Sequence, residues 1–280
     1  MRPPAERLSV PPLAQRLFSW RRVGGMLLRY LYLYKNSWTR LVELLYWPAM
    51  QMILWGLITK YLLTTTSVLA QAAGLLIAAV LLWDVLFRGQ LGVFTLFMEE
   101  MYARNMGHLF ISPLKPYEMA TALVLMSLLR TLASFGGSGL LAWALYHYSV
   151  FDMGLPLLAF FLNLVVFGWG LGLIVCGMLL RYGFAAESLA WGAPFALAPL
   201  CGIYYPVATL PPWLQPVAWA MPASHVFEGM RALLLEHTFR YDLLFNAIAL
   251  NVLYLAVGLG VFLAVFGVAR RRGLLLQAGE

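Results

Sequence analysis

Six stretches of this chain, 41–63, 67–87, 119–146, 155–180, 189–205 and 245–268, are apolar over all or nearly all of the length a helix needs to cross a bilayer. A hydrocarbon core of about 30 Å takes roughly 20 helical residues, so runs of this length read as membrane helices. The expected fold is therefore an all-α membrane protein with six transmembrane helices. The fifth run is the shortest and carries Pro194 and Pro199; a kinked helix packed against its neighbours keeps such prolines.

Composition agrees. Of the 280 residues, 62% are hydrophobic and 11% charged, against roughly 45–50% and about 25% in soluble domains. The net charge of +7 does not point to nucleic acid, because most arginines stand beside apolar spans. If the N-terminus is cytoplasmic, the inner segments hold most of the Lys and Arg, leaving Lys60, Arg231 and Arg240 outside. That bias predicts both termini inside and an even number of spans. Charges and prolines in "MRPPAERLSVPPLAQRL" argue against a cleaved signal.

Before the first span, "SWRRVGGMLLRYLYLYKNSWTR" places Arg22, Arg29, Asn36 and Arg40 on one side of a helical wheel, with Leu27, Tyr30, Leu31 and Tyr34 opposite. This predicts a helix lying on the inner leaflet, its arginines near anionic headgroups and its aromatics at the acyl boundary. Residues 1–40 thus form a cytoplasmic tail and interfacial helix, 41–268 the membrane domain, and 269–280 a basic cytoplasmic tail.

The second span does not stop at Arg88. Phe94, Phe97, Met98 and Met101 keep helical spacing, so the helix runs on, to break at Gly107 and at "SPLKP". Pro116 suits the first turn of the next helix. A short cytoplasmic helix, about 99–111, is expected there, offering Glu99, Glu100, Arg104, Asn105 and His108 to a partner; solvated charges at a helix end are the plainer alternative.

The segment "GIYYPVATLPPWLQPVAWAMPASH" at 202–225 is apolar yet holds Pro206, Pro211, Pro212, Pro216 and Pro222. It has too many missing N–H donors for a crossing helix, and too much Trp, Val, Ala and Leu for a solvent loop.

Sites for chemistry are few. The lysines Lys35, Lys60 and Lys115 do not sit in a phosphate-binding loop, so no ATP hydrolysis is expected in this chain. His108, His147, His225 and His237 lack paired spacing, and no metal site is expected. Cys176 and Cys201 fall inside apolar runs as small buried hydrophobes. The His237 to Asp242 spacing matches the pair membrane acyltransferases use, with nothing nearby to complete a site. Asp84 and Arg130 are intramembrane charges, each costing roughly 2.5–3.5 kcal/mol unless paired or hydrated. Either they pair with each other to tie helices together, or Arg130 serves a substrate path. The glycines of "FGGSG" (135–139) and "GWGLG" (168–172) allow close helix packing.

These features resemble the ABC-2 type permeases, the membrane subunits of type V exporters. "SPLKPYE" at 112–118 is similar to the family's Ser/Thr-Pro-Leu segment with its following Glu, just after the coupling helix. "YYPVATLPPWLQPVAWAMPASHVFEGMRALL" is similar to the family's late Pro-rich segment, and a last span followed by Arg270 to Arg272 closes the chain. "MEEMYARNMGHLF" departs from the Arg-Glu and Gly-Thr usual before the coupling segment.

The resemblance implies re-entrant outer helices over about 206–244, marked by Pro206, Pro211, Pro212, Trp213 and Pro222. It also implies a homodimer in a bacterial inner membrane, contacting lipid and two separate ATP-binding subunits that carry ATP and magnesium. The permease itself is then a non-catalytic path and coupling element, exporting an amphipathic or lipid-like substrate; a lipid-linked glycan is the rival cargo. Trp55 and Trp83, with Tyr46 and Trp47, are candidate path residues beside Asp84 and Arg130. An acyltransferase using His237 and Asp242 is the alternative from another class, and a passive channel ranks below both.

Overall fold

A computed structural model describes residues 18–65 and 70–271. The expected N-terminal tail before residue 18, the first residues of the second apolar run and the basic tail from residue 272 lie outside the described residues. Those that are described form ten α-helices and no strand: α1 (Trp20–Lys35), α2 (Trp38–Thr65), α3 (Ala70–Tyr102), α4 (Met106–Ile111), α5 (Pro116–Tyr146), α6 (Leu155–Tyr182), α7 (Glu187–Leu197), α8 (Gln215–Trp219), α9 (Pro222–Glu236) and α10 (Tyr241–Arg271).

α2, α3, α5 and α6 alternate in direction and α10 runs parallel to α6, so the molecule has a basic end, where α1 and α4 lie, and a proline-rich end, where α8 and α9 lie. α3 and α6 form the centre. Gly168 and Gly172 let them meet backbone to backbone: a Cβ at Gly168 would sit 2.6 Å from the Leu86 carbonyl oxygen, and one at Gly172 would sit 2.9 Å from that of Gln90. The opposite face of α6 meets α10 in the same way, Gly258 against the Gly170 carbonyl. Asn251 of α10 also donates to the Asn163 side-chain and backbone oxygens of α6 at 2.8 and 3.0 Å. Small residues therefore set the helix spacing, as van der Waals packing in lipid favours.

Five helical segments among the described residues, not six, are long and apolar enough to cross a membrane. The expected fifth span is helical only in α7, 11 residues long, about 16 Å and half a hydrocarbon core. It continues from α6 through a single 3₁₀ turn after Gly183, whose φ of +67° ends α6. Residues 187–206 still return toward the proline-rich end. Glu187 meets Tyr102 at 3.0 Å, Phe195 packs edge-on against Phe87, and the Gly202 carbonyl reaches Arg231 of α9. Prolines at 194 and 199 limit how far one helix can carry that return.

α3 does run on past Arg88, as its Phe and Met spacing predicts. The break after it falls at Ala103 to Asn105, with Arg104 at φ +52°; Gly107 lies inside α4, which starts after the break. Pro116 is in the first turn of α5, following Lys115 in extended conformation.

α1 is apolar on more than one side. Val23, Met26, Tyr30 and Tyr34 are buried in one cluster with Phe94, Phe97, Met119 and Leu123, so this side rests on α3 and α5, while Leu31 of the expected stripe is exposed, as are Leu28, Tyr32 and Leu33. Its arginines meet carboxylates of the same chain: Arg22 with Glu118, Arg29 with Glu100, and Arg40, at the start of α2, with Glu99. A wheel shows which residues share a face, but not whether protein or lipid covers it.

Candidate functional site

A cavity of about 410 Å³ opens among α2, α3, α5 and α7. α2, α3 and α7 each contribute a stripe, and α5 contributes Arg130. Arg40, Glu43, Trp47, Gln51 and Trp55 of α2 recur every three or four residues, as do Trp83, Phe87 and Leu91 of α3; Trp191 and Phe195 of α7 and Tyr204 complete the wall. Trp55 stacks on Tyr204 with ring centroids 4.8 Å apart. The chamber joins an aromatic wall to a band of charge.

Of the candidate path residues, Trp47, Trp55, Trp83, Asp84 and Arg130 line this one space; of the two alternatives for the charges, the Asp84–Arg130 ion pair does not form. Asp84 accepts from Arg88 Nε at 2.8 Å and from the Ser134 hydroxyl at 3.3 Å. Arg88 sits one turn further along the same helix, where the i,i+4 relation brings the groups together without interhelix alignment. Arg130 instead donates to the Thr95 hydroxyl at 2.8 Å and lies over the Tyr34 ring, 5.2 Å from its centroid. Arg40 approaches the same ring at 5.6 Å. Tyr46 and Lys60, by contrast, do not line the cavity.

The acidic residues expected to await a partner at the basic end are engaged within the chain. Glu100 is 2% exposed and takes both N–H edges of Arg29 at 2.9 Å, so it presents no carboxylate outward. Glu99 is held by Arg40 at 2.9 Å. Arg104 and His108 remain on the surface, and Ile111 of α4 is 87% exposed. Asn105 precedes α4 in helical conformation, without a side-chain cap bond.

Glu118 is the anchor of this region and was legible only as part of a motif. It accepts from Arg22, from the Ser19 N–H at 2.7 Å and from the Lys115 N–H at 3.0 Å. The Glu118 hydrogen bond raises the Arg22 guanidinium above its ordinary value. Burial, joined by the field of Glu100, pushes the Tyr30 hydroxyl up. The available signal was Glu118 two residues after Pro116, where a first-turn carboxylate reaches back to the N-cap N–H.

At the proline-rich end, Pro206, Pro211, Pro212, Trp213 and Pro222 fall in one region. Pro216 and Pro222 open α8 and α9, and Pro206 precedes a 3₁₀ turn. Two residues absent from the sequence-based expectation hold it. Glu228 accepts the Val207 N–H at 2.6 Å, and buried Arg231 donates to the carbonyls of Gly202 at 2.6 Å and Ile203 at 3.3 Å. Their i,i+3 spacing in α9 was the visible signal.

The His237–Asp242 dyad is also corrected. Both oxygens of Asp242 are taken by Arg240, at 2.9 and 2.5 Å, and His237 ends α9 at φ +54°. Among the described residues no three His, Cys, Asp or Glu side chains gather as a metal site.

Compared with known families, residues 31–235 match the family model of ABC-2 type transporters. No curated protein matches the chain.

Proposed function

Because the chain belongs to the ABC-2 type transporter family, we propose that it is the membrane permease of an ATP-driven exporter. It pairs with a second copy of itself and with two ATP-binding subunits, which supply ATP, magnesium and hydrolysis. It sits in a bacterial inner membrane with its basic end and both termini in the cytoplasm. The basic residues concentrated at that end support this orientation.

The observation that carries the transport reading is the cavity among α2, α3, α5 and α7. Intramembrane charge is costly and marks functional paths, and here it meets an aromatic wall suited to an amphipathic or lipid-like cargo. The apolar, outward-facing side chains of α2, among them Leu41, Leu45, Tyr46 and Leu54, supply a surface for lipid or for the second copy. α8, α9 and the turns before them form the re-entrant segment, dipping into the outer leaflet.

Coupling runs through α4 and the break before it. The ATP-binding subunits dock on Arg104, Asn105, His108 and Ile111, with Glu99 at the edge and Glu100 supporting from within. Nucleotide-driven closure moves α3 and α5, which flank α4, between two packed arrangements.

The test is reconstitution of the chain with the ATP-binding subunits that co-purify from its native membrane. ATP-dependent efflux of a fluorescent amphiphile is expected, and R104A/I111D is expected to lose subunit binding while remaining folded. Efflux from the permease alone, or a chain that purifies without an ATPase, would overturn the reading. Efflux of a lipid-linked glycan in place of the amphiphile would transfer the cargo to the rival class.

A further inference from the structure

The charges lining the cavity do not all cancel within the chain. Asp84 is paired with Arg88 and Arg40 with Glu99. Arg130 stands about 20 Å along α5 from Pro116, touching a hydroxyl and a ring face. No ion pair of the described residues includes it. Glu43, on the same wall, is exposed and makes no bond to it.

A hydrogen bond and a cation–π contact offset only part of what an intramembrane guanidinium costs. A guanidinium has five N–H donors in a planar fork that fits carboxylate or phosphate, and Thr95 uses one. The remaining donors border a cavity whose walls carry Trp47, Trp83 and Phe87.

We propose that this cavity binds an anionic amphiphile, its carboxylate or phosphate on Arg130 and its apolar body along Trp47, Trp83 and Phe87. The inference rests on the reading of the cavity as the transport path, and it narrows the cargo to one charge class. Thr95 is a positioning residue: its hydroxyl donates to the Leu91 carbonyl at 2.8 Å, so its lone pairs face the guanidinium and fix its direction. The anion comes either from a free amphiphile or from a membrane lipid headgroup.

The experiment uses the full chain in phosphatidylcholine nanodiscs and quenching of its tryptophans by brominated single-chain probes carrying phosphate, trimethylammonium or maltoside heads. Saturable quenching is expected for the phosphate probe only. Its apparent affinity should fall about tenfold or more in Arg130→Gln and recover in large part in Arg130→Lys. Glu43→Gln, which removes a negative charge from the same wall, should tighten it. Equal quenching by the three probes of the unmodified chain, a result that needs no variant to fold, would overturn the inference, as would an unchanged affinity in a folded Arg130→Gln. Competition by phosphatidylglycerol added to the nanodisc would assign the anion to a lipid, and its absence to a free amphiphile. Loss of charge selectivity with ATP-dependent efflux intact would remove this inference alone. Failure to assemble with ATP-binding subunits would remove the exporter reading while leaving the binding measurement standing.

Discussion

Arg22 grips Glu118 through two parallel hydrogen bonds, Nε to Oε2 at 2.7 Å and Nη2 to Oε1 at 2.5 Å. The carboxylate is fully buried and also accepts two backbone N–H groups, so it ties the start of α1 to the start of α5. Arg29 and Glu100 fasten the next turns of α1 to the end of α3. α4 is therefore suspended between two helices that α1 clamps on the same side.

Replacing Glu118 with Gln keeps its shape but turns an acceptor of four donors into a group that must itself donate. The thermal midpoint of the detergent-solubilised chain should fall by about 5 °C or more, with α1 becoming susceptible to protease. Arg22→Lys should fall less, since it keeps charge and loses only the bidentate fork. An unchanged midpoint in Glu118→Gln would show that α1 holds its place without this anchor.

Gly168 and Gly136 make a paired test of helix spacing. A side chain at Gly168 meets the Leu86 carbonyl and the Gln90 nitrogen within 3 Å, whereas one at Gly136 meets nothing within 4 Å. Gly168→Val should destabilise by about 1–3 kcal/mol or more through overpacking of α3 against α6. Gly136→Ala should be neutral or mildly stabilising. Thermal unfolding in one detergent compares them, and equal behaviour would mean that α3 and α6 can separate freely.

Arg231→Met removes the donor that holds the Gly202 and Ile203 carbonyls and leaves Glu228 without its cationic neighbour. The turns at 202–207 should loosen, read as faster hydrogen exchange confined to that stretch and the start of α9. Exchange equal to the unmodified chain would assign their order to the prolines alone.

His225 hydrogen-bonds through Nε2 to the Trp219 carbonyl at 2.8 Å, with Nδ1 buried and unpartnered. Burial lowers its pKa below the ordinary 6.5, so the folded state resists the proton that the unfolded chain accepts. Stability should be full above about pH 6.5 and decline as pH falls below it. Midpoints at pH 7.5 and 5.5 should differ less in His225→Gln; an equal difference would place the titrating group elsewhere.

The cavity shows where the two levels divide. Trp47, Gln51 and Trp55 share a helix face by spacing alone, and so do Trp83 and Phe87. Nothing local says that these two faces meet α7 around one space, because that depends on glycine contacts between helices far apart in the chain. The choice between an Asp84–Arg130 pair and a path role for Arg130 lay open for the same reason: intramembrane cost implies a partner without choosing it, and Arg88 was within reach of Asp84 on the same helix.

What the sequence determined by itself is the all-helical membrane class, the overrun of α3 beyond Arg88, the first-turn position of Pro116 and the family. All of these follow from run length, period-3.6 spacing, proline's missing N–H or local motif order. Only the tertiary structure decided that one side of α1 rests on protein, that Glu99 and Glu100 are already spoken for, that the helical part of the fifth run is half-length, and that Arg130 lines the cavity without joining an ion pair of the described residues. Those outcomes depend on distances between residues remote in sequence, where small shifts in helix spacing choose among partners that composition leaves equally available.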